Sequence, residues 1–325
     1  MRRALRALLF VVVAVVALAA VAGAVVWRTA TAPGPLAEER AVVIPRGGIR
    51  DIAEVLERAG VIADADAFAL AAALTRGQGA LRAGEFAFPA GASLLGTLSV
   101  LRTARPVQHR FTITEGMLAV QIRAALLAEE ALGGEVPAFA EGALLPETYL
   151  FTRGDTREAL VRRATAAMEQ ALAQEWERRA ADLPLATPRE ALTLASIVER
   201  ETGVAGERAR VAGVFVNRLR RGMMLQSDPT TAYAAAGGGV LDRPLTRADL
   251  QHDHPFNTYR VTGLPPGPIA SPGRAAIRAA LNPESHDLLY FVADGTGGHA
   301  FARTLDEHNR NVAAWRRIER ERGLR

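Results

Sequence analysis

The chain has no cysteine and no lysine among its 325 residues. Without cysteine there is neither a disulfide framework nor a thiol nucleophile. Every basic residue is an arginine, which we read as codon bias. The formal net charge is +4, and three of those charges precede the first apolar run. The remainder is close to neutral, which argues against nucleic acid as a partner. The six histidines include no H-E-x-x-H. His252 and His254 form one H-x-H pair, with His299 and His308 far from it, so zinc-ligand spacing is not evident. Ser196 lies within a helical pattern and lacks a surrounding G-x-S-x-G. No phosphate loop or dinucleotide fingerprint occurs. We therefore expect no metal and no cofactor.

One long apolar run is present. Ala7 to Trp27 carries no charge, and roughly 20 apolar residues suffice to cross a bilayer. Arg2, Arg3 and Arg6 precede it, which keeps that end cytoplasmic and puts the rest outside. A cleaved signal peptide is the competing reading, because Ala20, Ala22 and Ala24 offer small-residue cleavage sites. The apolar core exceeds the usual signal length, and Trp27-Arg28 makes an interfacial stop, so an uncleaved anchor is preferred. Arg2-Arg3 alone is too little for a twin-arginine signal.

The rest reads as α+β in two parts. Residues 1–28 are the cytoplasmic tip and anchor, and 29–40, with Pro33, Gly34 and Pro35, are a linker. Residues 41–105 follow the order strand, helix, helix, strand, helix, with Ser93 as an N-cap; a spacer and a binding module share these signals. Residues 106–325 form a larger mixed domain. It has a strand at 107–113, a helix at 119–131, an irregular stretch at 141–155 and a helix at 157–179. Helices follow from Pro188 and from Glu207, then loop-rich chain at 222–272, a strand at 288–294 and a helix at 305–320. Long ordered loops in a compact domain are usually functional.

The most informative segment is Glu190 to Asn217. Leu194, Ile197, Val198 and Glu201 recur at i, i+3, i+4 and i+7, one helical face. Three are apolar, so Glu201 ends a packed stripe, where its charged form is disfavoured and its pKa should rise. Such a carboxyl can donate a proton near neutral pH. Glu199 is expected roughly opposite, beside Arg200 and toward solvent. The plainer alternative is that Glu201 caps the helix or pairs with Arg200 or Arg208. Four loop clusters accompany it: Leu225 to Thr230, Asn257 to Tyr259, Gly263 to Ile269 and Gly297 to Phe301. Their amide, hydroxyl, aromatic and imidazole groups suit a sugar, although Gln226, Asp228 and Asn257 could equally bond their own turns.

The runs ASIVERETGVAGERARVAGVFVNRLRRGMMLQSDPTTAY, NTYRVTGLPPGPIASPG and LYFVADGTGGHAFARTLDEHN resemble the endolytic murein transglycosylases of the MltG (YceG-like) family. The segment EGALLPETYLF is similar to the family's E-G-x-x-x-P-x-T-Y stretch. The resemblance implies a LysM-like module over 41–105 that contributes to strand binding and a YceG-like catalytic domain over 106–325. It implies cleavage of peptidoglycan glycan strands at the outer face of a bacterial cytoplasmic membrane, in the periplasm. The second glutamate of the E-x-E-[TA] motif, the family's catalytic acid, falls on Glu201. Gln226, Asp228, Asn257, Tyr259 and Glu147 are the candidates for holding the glycan, while Asn217 and Arg218 are expected to brace the helix carrying Glu201. Cell-wall synthases are candidate partners. A water-using muramidase with Asp228 as second carboxylate, and a non-catalytic wall-binding scaffold, remain the alternatives.

Overall fold

The computed structural model describes residues 2–323; Met1, Leu324 and Arg325, the outermost ends of the first and last expected segments, lie outside the described residues, as do the side chains of Arg2, Arg3, Ala4, Leu5 and Ala7. The fold is mixed α+β, and its sheets among the described residues are all two-stranded. The chain divides into two compact units, Met1–His109 with Phe151–Gly154, and Arg110–Leu150 with Asp155–Arg325.

The first unit opens with α1 (Arg2–Thr31). Within it Leu8–Thr31 is long and apolar enough to cross a membrane, with a mean hydropathy of 3.0. Its Leu, Val and Phe side chains are exposed. The helix runs three residues past Arg28, so the expected linker is shortened. Next come β1 (Arg40–Ile44), α2 (Ile49–Arg58), α3 (Ala65–Leu74), β2 (Gly84–Phe88) and α4 (Leu94–Thr103). β1 and β2 pair antiparallel, with Val42 opposite Phe86. The inward residues Ile44, Phe86 and Phe88 pack with Leu56, Phe68, Leu98 and Leu101. Asp64 accepts from Ala67 N at 3.0 Å and Ser93 from Gly96 N at 3.1 Å. These side chains satisfy amides that the first helical turn leaves unpaired.

The chain passes between the units within β3 (Gln108–Thr112) and β4 (Thr148–Thr152), which pair. β4 corrects the expectation of an irregular stretch at 141–155. Tyr149 and Phe151 turn inward while Thr148 and Leu150 are exposed, a period of two that the breakers Pro146 and Gly154 obscure. The second unit continues with α5 (Ala119–Ala128), α6 (Arg157–Glu177), α7 (Pro188–Glu201) and α8 (Arg208–Arg220). Then follow α9 (Asp228–Ala235), α10 (Arg247–Gln251), α11 (Arg274–Leu281), the hairpin of β5 (Tyr290–Ala293) and β6 (His299–Ala302), and α12 (Leu305–Glu321). α9, α10 and α11 are additions to the expected elements. α9 begins with Pro229 in its first turn, where the missing N–H costs nothing.

α7 is the axis of the unit. Thr187 Oγ1 caps it by accepting from Glu190 N at 3.2 Å. Ala191 and every residue from Thr193 to Val198 are buried. Leu194, Ile197 and Val198 share a core with Val211 and Phe215 of α8 and with Ile277, Ala280 and Leu281 of α11. The helix is thus packed around most of its circumference and does not present a single apolar stripe.

Candidate active site

Glu201 is the last residue of α7, and Thr202 turns to extended backbone (φ −139°). The helix therefore delivers its terminal carboxyl into a cleft of about 570 Å³. Ser227 Oγ donates to Glu201 Oε1 at 2.5 Å. Oε2 has no protein hydrogen-bond partner among the described residues. Burial pushes the Glu201 carboxyl up to about 7, Ser227 and Arg218 pull it down, and the negative charge of Asp228 adds to the rise. A carboxyl in this range is half protonated near neutral pH and serves as either acid or base.

Ser227 is held by a buried hydroxyl network. Its N–H donates to Thr258 Oγ1 at 2.9 Å, and its carbonyl accepts from Thr230 Oγ1 at 2.7 Å. Thr230 and Thr258 oxygens lie 2.7 Å apart. Thr230 spends its proton on Ser227, so Thr258 donates to Thr230. Every hydroxyl proton has one acceptor, which fixes the serine that touches the acid.

The expected site residues separate into two groups. Gln226, Asp228 and Tyr259 line the cleft with Glu201. Gln226 sits at φ +50°, a conformation that costs a non-glycine residue about 1 kcal/mol or more. Its N–H donates to Thr258 O at 3.1 Å and its Oε1 accepts from Arg218 Nη1 at 3.2 Å, leaving the side-chain amide N–H groups to the cleft. Tyr259 donates its hydroxyl to Asp228 Oδ1 at 2.7 Å. Burial and Asp228 push the phenol well above its usual range, so it stays a donor.

Asn257 and Glu147 stand apart from the cleft. Asn257 is 0% exposed. Its amide donates to the carbonyls of Asp249, Leu250 and His252. Its Oδ1 accepts from Thr231 Oγ1 and Tyr259 N. No polar atom is left for a ligand, so the expectation that Asn257 grips a glycan is corrected: it ties the loop before Tyr259 to α9 and α10. Glu147 pairs with Arg274 Nε at 3.0 Å, outside the cleft lining. Glu199, expected toward solvent, is corrected too. Its side chain is 4% exposed, because Arg208 and the N-terminus of α11 close over it.

Several cleft residues were not singled out for it. Arg218, expected to brace, does so through Nε to Leu289 O at 2.7 Å and Nη1 to Leu225 O at 2.9 Å. It also lines the cleft and stacks on Tyr290, with the guanidinium carbon 5.1 Å from the ring centroid. Asn217 only braces, donating to His286 O and Leu288 O. His299 bonds Glu207 through Nδ1 at 2.7 Å. His308 stacks on Tyr290 at 5.1 Å and leaves Nδ1 buried without a partner. The GGHAF cluster pointed to His299; nothing in the spacing of LDEHN placed His308 in the cleft that holds Glu201.

Residues 42–314 match the YceG-like family, and the chain belongs to that family. It is 40% identical over 175 residues to the endolytic murein transglycosylase of Bacillus subtilis, covering 52% of this chain and 46% of that protein. It is 39% identical over 180 residues to that of Streptococcus pneumoniae strain D39, covering 53% of this chain and 32% of that protein. The chain spans less than half the length of these curated relatives. A solved YceG-like protein of Listeria monocytogenes superimposes with a TM-score of 0.55 at 28% identity, over 84% of this chain and 98% of that one.

Proposed function

We propose that the protein is a membrane-anchored lytic transglycosylase that cuts peptidoglycan glycan strands internally, between N-acetylmuramic acid and N-acetylglucosamine. The observation that carries this is Glu201. It is a cleft carboxyl held near pKa 7 with one hydroxyl partner, in a chain related to proteins named endolytic murein transglycosylase.

Glu201 donates its proton to the glycosidic oxygen as the bond to the muramic C1 breaks. The sugar's acetamido oxygen steadies the cation-like carbon. Glu201, now ionised, takes the proton of the same sugar's 6-hydroxyl as that oxygen bonds C1, closing a 1,6-anhydro ring. One carboxyl serves both steps, and no water is consumed. Ring closure is intramolecular, and proximity is worth up to about 10 kcal/mol in ideal geometry. Asp228, the second carboxylate a hydrolase would need, is engaged by Tyr259, which disfavours the muramidase reading. Gln226, Arg218, Tyr259 and Asp228 hold the strand, while Ser227 and Asn257 act as positioning residues.

In this reading α1 is an uncleaved anchor with its N-terminus inside, and the remainder lies in the periplasm. Residues 41–105 are a LysM-like strand-binding module and 106–325 the catalytic domain. Cell-wall synthases are candidate partners. Mass spectrometry of fragments released from purified sacculi tests the assignment. Anhydro-ended products that add no water are expected, and their loss in Glu201→Gln. Products one water heavier per cut would establish a hydrolase instead.

A further inference from the structure

A second cavity, of about 740 Å³, lies in the first unit between the outer end of α1 and the small module. It is lined by Val26 and Thr29 of α1 and by Ala67, Leu70, Ala71 and Leu74 of α3. The α3 positions follow i, i+3, i+4, i+7, one helical stripe. The opposite side of α3 already fills the module core through Phe68 and Ala72. α3 is therefore apolar on both sides, with Asp66 as its single polar residue. Leu70 is 63% exposed and Leu74 is 74% exposed, a poor arrangement for a helix facing water.

Depth identifies what covers this stripe. If α1 crosses the bilayer, as in the function proposed above, about 20 residues at 1.5 Å each span the roughly 30 Å of hydrocarbon. Counting from Leu8, that takes the hydrocarbon to Trp27. Trp27 is exposed, as suits an aromatic at the interface. Side chains sharing a cavity with Val26 and Thr29 lie at that interfacial depth. The charge around α3 agrees. Arg76 follows its C-terminus and is exposed. Arg102 is brought there by its Nη2 bond to Thr75 Oγ1 at 2.9 Å. Guanidinium groups at the polar edge of an apolar stripe suit phosphate headgroups. At the other end Asp66 pairs with Arg50 at 2.9 Å, and Asp64, which also lines the cavity, caps α3.

We infer that the stripe of α3 and the outer end of α1 form a lipid-binding surface, occupied by outer-leaflet phospholipid, that seats the small module on the bilayer. The module is then held at the membrane surface and not on a free tether.

The absence of cysteine makes the test direct. Single-cysteine chains V16C, L70C and L74C, full length, are labelled with an environment-sensitive fluorophore in nanodiscs of phosphatidylethanolamine and phosphatidylglycerol. Lipids carrying nitroxide near the headgroup are compared with lipids carrying it deep in the acyl chain and with none. Labels at 70 and 74 are expected to lose at least half their emission to the shallow nitroxide, and the label at 16 to the deep one. Quenching at 16 without quenching at 70 and 74 overturns this inference and leaves the anchor intact; a protein or water then covers the stripe. No quenching at 16 overturns the anchor and the inference with it. In a chain labelled at A67C, replacing Leu70 and Leu74 by Asp should abolish shallow quenching; its persistence would mean the probe, not the protein, seeks lipid.

Discussion

Two carboxylates two residues apart on α7 occupy neighbourhoods that differ in what is left free. Burial pushes both Glu199 and Glu201 upward. Around Glu199 the structure is closed. Oε2 accepts from Gly273 N at 2.8 Å, Oε1 from Arg208 at 3.4 Å, and the N-terminus of α11 adds its positive end. A Cβ at position 273 would displace the Glu115 carboxylate. Around Glu201 the structure is open. One oxygen takes a hydroxyl from Ser227, and the other faces the cleft. Burial with both oxygens engaged thus makes Glu199 a structural acid, whereas burial with one oxygen unengaged leaves Glu201 open to a ligand in the cleft.

The largest expected effect separates the pair by activity. Glu201→Gln should lower release of anhydro-ended fragments by about 10²–10⁴-fold, the usual contribution of a general acid, with circular dichroism unchanged. A retained rate would erase the distinction. Glu199→Ala should act on stability, losing about 2–3 kcal/mol in urea unfolding because Arg208 and Gly273 N lose their acceptor. Activity per folded molecule should stay within a few-fold.

A smaller effect concerns stability against pH. The folded Glu201 carboxyl sits at about 7 against an ordinary 4.5. Between these values the folded chain holds a proton that the unfolded chain has released, so stability falls as pH rises. The cost is absent below about pH 4.5 and complete above about pH 7. Glu201→Gln should therefore be more stable than the parent by about 1–3 kcal/mol at pH 8 and equal to it at pH 4. Equal melting curves at pH 8 would place Glu201 with ordinary carboxylates. The smallest effect belongs to Ser227→Ala. It removes a bond that favours the ionised form, so the alkaline limb of kcat/KM should move to higher pH with only a few-fold change in maximum rate. A limb that moves downward would reverse the role assigned to the serine.

The sequence pattern was legible where local rules decide. The apolar length of α1, the capped start of α4, the proline start of α7 and the alternation of β2 follow from neighbours in the chain. Glu201 was legible as a poorly hydrated acid, and Leu194, Ile197 and Val198 on its face are buried; the solvent side expected for Glu199 is absent. α7 is buried nearly all round, so Glu199 is covered as well. α9, α10 and α11 were hidden in a stretch dense in Pro and Gly, where helices of only five to eight residues rest on tertiary packing more than on propensity. Asn257 looked like a sugar ligand because an amide in a loop looks alike whether it faces out or in.

What the sequence alone determined is the presence of an apolar segment of membrane length, an α+β chemistry without thiols, and an acid at the end of a packed helix. These depend on composition and on spacing within a few residues. Which of two nearby acids keeps an open oxygen was decided only by the tertiary structure. So were the return of Arg218, Tyr290 and His308 to the same cleft and the inward turn of Asn257. Residues as far apart as Glu201 and His308 must meet to fill or leave unfilled a hydrogen-bond site, and no local periodicity carries that information.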